Sequence, residues 1–200
     1  MNKTREMVLL ALFGAIILVL TFTPFVGYIP LGTSRATTVH IPVIIGSIIL
    51  GPKKGGILGF IFGLTSLYTN TFSPALTSFV FSPFVPMGNA LSLVICFVPR
   101  ILVGVVPYFV YRALREKSQA AGLLLAGVAG SMTNTLLVMH MIYFFFGASY
   151  GAAKNVAADM LYKVLILPVI GINGVAEAIV AAILASAICA ALKKTKYVNF

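Results

Sequence analysis

Residues 39–63 read VHIPVIIGSIILGPKKGGILGFIFG. Two apolar runs flank Pro52, Lys53, Lys54, Gly55 and Gly56, and no acidic residue falls anywhere in the stretch. Were this a loop dipping into hydrocarbon, each lysine would cost about 2.5–3.5 kcal/mol. A turn at a membrane surface, with a spanning helix leaving on either side, avoids that cost. Short basic loops stay on the cytoplasmic side of a membrane, so Lys53 and Lys54 orient everything else.

The rest of the composition agrees. The chain is 60% apolar and only 9% charged, where soluble domains run near 25% charged. With a mean hydropathy of +1.06 it reads as an all-α integral membrane protein. A bilayer takes about 20 apolar residues per spanning helix, so 200 residues leave room for about six in a single domain, 1–200. The apolar run from Met7 to Phe22 is followed by Thr23, Pro24, Phe25 and Val26, not by a small-residue cleavage site, and reads as the first helix rather than a signal. The six transmembrane helices are predicted at about 6–22, 39–50, 56–68, 87–111, 120–146 and 157–192, the last bent at Pro168.

A formal charge of +10 looks at first like a nucleic-acid signal, but ten of the fourteen Lys and Arg fall in four short segments. These are Lys3 and Arg5; Lys53 and Lys54; Arg112, Arg115 and Lys117; and Lys193, Lys194 and Lys196. That distribution is orientation chemistry, not a basic groove for nucleic acid, and it puts both termini in the cytoplasm. The outer connections, 23–38, 69–86 and 147–155, are longer and rich in Gly, Pro, Ser and Thr, so a pocket built by loops opens outward. Cys96 and Cys189 sit inside apolar runs without metal spacing and read as small hydrophobes.

Enzyme motifs are missing: no Gly-rich phosphate loop ending in Lys-Ser/Thr, no His-Glu-x-x-His, no Gly-x-Ser-x-Gly. Four acidic residues, Glu6, Glu116, Asp159 and Glu177, give no carboxylate cluster for a metal. No cofactor is implied, and the chain cannot hydrolyse ATP by itself.

What remains is a set of polar residues inside apolar helices, which are costly there and point to function by default. Counting about 1.5 Å per residue from the nearest cytoplasmic end, Arg100 lies about 18 Å deep, Asn134 about 22 Å and Glu177 about 24 Å, in one middle layer. Asn173, His140 and Asn89 fall about 30–35 Å up. At about 100° per residue, Asn89 and Arg100 share one stripe, as do Asn173 and Glu177, whereas Asn134 and His140 diverge by about 120°. One reading is an outward cavity between the last three helices, with Arg100 at its floor and Asn89, Asn134, His140 and Asn173 on its walls. The other makes Arg100 and Glu177 a structural ion pair, and the two are compatible. Arg35 in the first outer loop is a further candidate for an anionic ligand. Small residues at four-residue spacing, Gly55, Gly59 and Gly63, suit close helix packing, and Ala11 and Ala15 repeat the pattern in the first helix.

Taken together, the chain resembles the substrate-binding S components of energy-coupling factor (ECF) vitamin transporters, over essentially its whole length. The residues that carry the likeness are Ala11-Leu12-Phe13-Gly14-Ala15, similar to the family's Ala-x-x-x-Ala motif, and IPVIIGSIILGPKKGGILGFIFG at 41–63. The resemblance implies a subunit that binds a water-soluble vitamin and joins a transmembrane coupling subunit and two cytoplasmic ATPase subunits in the plasma membrane. It implies that Ala11 and Ala15 mark the face docked on the coupling subunit, and that the loop after the first helix gates the pocket. The 40–59 stretch looks most like the pantothenate-type members. Pantothenate carries a carboxylate, an amide and hydroxyls, which Arg100 or Arg35 with Asn, Ser and Thr could pair. Folate, riboflavin or a pyridoxine-like vitamin remain alternatives, and a self-contained secondary transporter would need more deep acids than Glu177.

Overall fold

The computed structural model describes residues 2–23, 27–31 and 34–195, with backbone alone over 28–31 and 34–36. Helix α1 (Lys3–Phe22) is followed by an antiparallel hairpin of β1 (Tyr28–Leu31) and β2 (Ser34–Thr37), in which Tyr28 faces Thr37. Then come α2 (His40–Leu50), α3 (Pro52–Phe72), a 3-10 turn at Ser78–Val80, α4 (Ala90–Val103) and α5 (Val106–Leu114). A long α6 (Gln119–Ala153), two π-helical turns at Tyr162–Ile166 and Val169–Gly174, and α7 (Val175–Lys193) complete the described chain. Four stretches, Lys3–Phe22, Ala90–Leu114, Gln119–Ala153 and Tyr162–Lys193, are long and apolar enough to cross a membrane.

The bundle is organised around α2. Its apolar run has no polar face, and every residue from His40 to Ile49 is buried, as expected of a helix enclosed on all sides. Eleven residues reach only about 16 Å, too short to cross a bilayer alone. Its turn into α3 lies one residue earlier than the Pro-Lys-Lys-Gly-Gly run suggests. Gly51 takes φ +87°, which only glycine adopts without strain, and Pro52 opens α3 at a first-turn position where its missing N–H costs nothing. Lys53 and Lys54 therefore sit in the first turn of a 21-residue helix, not in a loop.

Helix α3 packs on α4 along its glycines. A Cβ on Gly55 would collide with the Gly104 carbonyl oxygen, and one on Gly59 with the Arg100 carbonyl oxygen. That close approach, together with the Lys54–Glu6 ion pair, brings the start of α1, the start of α3 and the end of α4 to one end of the bundle. Tyr111, Arg115, Gln119 and Lys193 line a small recess between α5, α6 and α7. The basic turns thus share one end, and the hairpin and the 73–89 connection share the other.

Several boundaries differ from the sequence reading, each for a local reason. The helix expected over 87–111 breaks at Gly104 and Val105, because Pro107 in the first turn of α5 cannot donate to the preceding turn. Around Pro168, the expected bend is taken up by two π-helical turns instead of a simple kink. The loop expected at 147–155 is helical as far as Ala153, past a kink at Phe146. Thr69 to Phe72 belong to α3, and the first outer loop contains a hairpin, so a small β element joins the all-α class.

Candidate functional site

A cavity of about 740 Å³ opens among α1, α3, α4, α6, the second π turn and α7, at the end away from the basic turns. Its size is ordinary for a small-molecule site, which runs roughly 300–1,000 Å³. Of the residues singled out from sequence, Arg100, Asn134, Asn173 and Glu177 line it.

Arg100 is 6% exposed. One guanidinium nitrogen, Nη1, donates to the Ile95 carbonyl at 2.8 Å. The cation also lies over two rings, its Cζ 4.8 Å from the centroid of Phe81 and 5.6 Å from that of Phe62. Such a head is held in place while remaining a charged hydrogen-bond donor at the cavity wall. Asn134 is 8% exposed, and its Oδ1 is buried with no hydrogen-bond partner among the described residues. A buried amide oxygen left over in this way is costly and suits a site that a ligand completes.

Glu177 does something different. Its Oε1 accepts the Thr37 backbone N–H at 2.8 Å and its Oε2 accepts the Thr135 hydroxyl at 3.5 Å. These are the carboxylate's partners among the described residues, so it anchors the end of β2 rather than forming an ion pair with Arg100. Asn173 stands in the π-helical turn Val169–Gly174, one turn before Glu177, where the widened backbone aims it at the cavity.

Two residues expected on the walls do not line the cavity. Asn89 is not helical. Its side chain accepts the Leu91 N–H at 2.8 Å while Ser92 Oγ accepts its own N–H at 3.1 Å, a reciprocal cap on α4. The shared stripe with Arg100 therefore does not exist. His140 faces away, as its angular separation from Asn134 suggests: Nδ1 donates to the Leu136 carbonyl at 2.8 Å and Nε2 accepts from the Tyr162 hydroxyl at 3.4 Å. Arg35 stands in β2, and its side chain lies outside the described residues.

Sequence reasoning missed the third helix as a wall. Ser66, Thr69 and Asn70 line the cavity from α3, Ser73 follows them, and Lys154 reaches it from the end of α6. The spacing of 66, 69, 70 and 73 is a helical face of hydroxyls and amides, hidden when the helix is ended at 68. The 73–89 connection that closes this side is held by bonds within itself and to α3 and α4. Ser78 Oγ accepts the Ala75 N–H at 2.9 Å and donates to Asn70 Oδ1 at 2.7 Å, while Ser92 Oγ donates to the Phe79 carbonyl at 2.6 Å.

Ala11 and Ala15 are exposed, outside the face of α1 formed by buried Phe13, Gly14, Ile17 and Thr21. Among the described residues, no three His, Cys, Asp or Glu side chains gather where they could hold a metal.

Residues 5–189 match the family model described as ECF transporter, substrate-specific component. The chain is 41% identical over 201 residues to the pantothenic acid transporter PanT of Lactococcus lactis subsp. cremoris (strain MG1363), covering 98% of this chain and 97% of that protein. It is also 32% identical over 148 residues to the pantothenate transporter PanT of Leuconostoc mesenteroides subsp. mesenteroides, covering 69% of this chain and 68% of that one.

Proposed function

Because the chain belongs to the family of ECF transporter substrate-specific components, we propose that its cavity binds pantothenate as the first step of an ATP-driven import cycle. It is a multi-pass protein of the plasma membrane. The observation that carries the ligand is a buried, immobilised arginine beside an asparagine with an unspent acceptor, in a cavity whose remaining wall mixes hydroxyls and amides with apolar side chains such as Phe81, Val138 and Ile142. Arg100 pairs with the carboxylate, the strongest single contact available to this solute. Asn134, Asn173, Ser66, Thr69 and Asn70 meet its amide and hydroxyls. Glu177 serves the site indirectly, by holding the hairpin across the mouth.

In this reading the chain crosses the membrane six times: α1, α2 with its hairpin, α3, α4 with α5, α6, and 162–193. Both termini and the basic turns face the cytoplasm, and the cavity opens outward. Exposed apolar side chains such as Phe109, Ile179 and Ile183 meet lipid. Energy comes from two cytoplasmic ATPase subunits through a transmembrane coupling subunit, which docks on the Ala11–Ala15 face of α1.

Isothermal titration of the purified chain against a panel of B vitamins tests the ligand. Pantothenate binds with the highest affinity in the panel; tighter binding of folate, riboflavin or a pyridoxine-like vitamin would replace it. Uptake by cells with and without the ATPase subunits tests the coupling, since accumulation without them means a self-contained transporter.

A further inference from the structure

We propose that Pro99 is a positioning residue for the cavity arginine. It lies inside α4 and is buried, next to Arg100 in sequence. In a regular helix the N–H of position 99 donates to the carbonyl of Ile95. Proline has no N–H, and its ring crowds the carbonyl four residues back, so the Ile95 oxygen loses its helical donor and is pushed off the helix axis. In an apolar bundle a carbonyl freed in this way needs a replacement donor. Arg100 supplies it: Nη1 donates to Ile95 O at 2.8 Å.

The direction of that bond matters more than its strength. Ile95 lies towards the start of α4, the cavity end, so the bond draws the guanidinium up from the Arg100 backbone towards the cavity. There the cation meets the Phe81 and Phe62 rings at 4.8 and 5.6 Å. The backbone beneath cannot drift, because the Arg100 carbonyl is packed against Gly59 of α3. Pro99 thus converts a main-chain oxygen into a fixed seat for a side chain, and the pair Pro99–Arg100 acts as one unit. This inference rests on the reading of Arg100 as the partner of the ligand's carboxylate.

A non-proline residue at 99 restores an N–H that competes for Ile95 O and releases the arginine head. The test is titration of the purified full chain, wild type, P99A and R100A, with pantothenate and with pantothenyl alcohol, which lacks the carboxylate. P99A weakens pantothenate binding about tenfold, the scale of one bond to a charged group. Its affinity for the alcohol stays within about twofold, because groups that do not interact contribute independently. Its melting temperature does not fall, since removing a proline from a helix interior favours the helix. Unchanged pantothenate affinity in P99A overturns the proposal, and so does an equal loss for both ligands, which would make Pro99 a general packing residue. Unchanged pantothenate affinity in R100A overturns the reading of the arginine itself, whatever P99A does. P99S, which restores the same N–H, replaces P99A if that chain is poorly produced.

Discussion

The backbone N–H of Thr37 donates to Glu177 Oε1 at 2.8 Å, joining two residues 140 positions apart. Thr37 ends β2, pairs with Tyr28 and lies three residues before α2, so this bond ties the hairpin to the last helix across the cavity. Glu177→Ala removes the acceptor and leaves the hairpin held at that point only by its neighbours. A bond to a carboxylate is worth about 1.5–3 kcal/mol, or about 10–100-fold in a local opening equilibrium. Amide exchange at positions 34–38 should accelerate by about that factor, with exchange in α2 unchanged. Exchange at 34–38 indistinguishable from wild type would show that the hairpin is secured elsewhere.

Arg100→Ala and Asn134→Ala test the proposed ligand contacts. The first removes a charge-assisted pair and should weaken pantothenate binding by about 10–100-fold. The second removes a neutral partner and should cost about tenfold or less. Thermal unfolding of Asn134→Ala should stay close to wild type, because that side chain stands at a cavity wall, whereas Arg100→Ala should lose about 1–3 kcal/mol, because the Ile95 carbonyl is left without its donor. Wild-type affinity in both variants would move the site to another part of the molecule.

These residues were legible in the sequence because each interrupts an apolar run in which a polar group is costly. Arg100, Asn134, Asn173 and Glu177 come from three separate segments and meet in one cavity. The α3 wall was not legible, since hydroxyls and short amides are cheap in helices. Thr69 donates to the Thr65 carbonyl at 3.0 Å and Asn70 to the Ser66 carbonyl at 2.8 Å, so neither marks its position by an unmet need. Asn89 misleads for the opposite reason: helical angles say nothing about a residue that caps a helix from outside it. The role of Glu177 depends on a backbone amide of the hairpin, and no side-chain pattern announces a hydrogen bond to a main chain.

Gly59 fixes the height at which α3 meets the arginine. A Cβ there would collide with the Arg100 carbonyl and stand 2.8 Å from Ile101 Cα, and both are backbone atoms that cannot step aside. Gly59→Ala should therefore destabilise the bundle by about 1–3 kcal/mol and weaken pantothenate binding with it. At Gly171, in the second π turn, an added Cβ would meet nothing within 4 Å, so Gly171→Ala should stay within about 0.5 kcal/mol of wild type. Thermal unfolding of the two in the same detergent separates close packing from a general intolerance of alanine. A neutral Gly59→Ala would mean that α3 and α4 are not in contact as described.

Substitutions on the exposed face of α1 test whether binding and transport can be separated. Phe13, Gly14, Ile17 and Thr21 pack inward, Phe13 beside Gly46 of α2, and Thr21 donates to Thr65 Oγ1 at 3.3 Å, so the inner face of this helix is engaged with α2 and α3. Ala11 and Ala15 lie outside that face, among exposed Met7, Val8, Leu12 and Val19. Enlarging them disturbs nothing within the chain, yet it blocks the close helix approach that small residues permit. Ala11→Leu and Ala15→Leu should accordingly keep pantothenate affinity within about twofold and leave unfolding within about 0.5 kcal/mol, as surface changes do. Uptake by cells carrying the coupling and ATPase subunits should fall several-fold, and co-purification of those subunits should fall in parallel. Loss of binding in the isolated chain would assign the two alanines to internal packing, and full uptake would place the docking face on another helix.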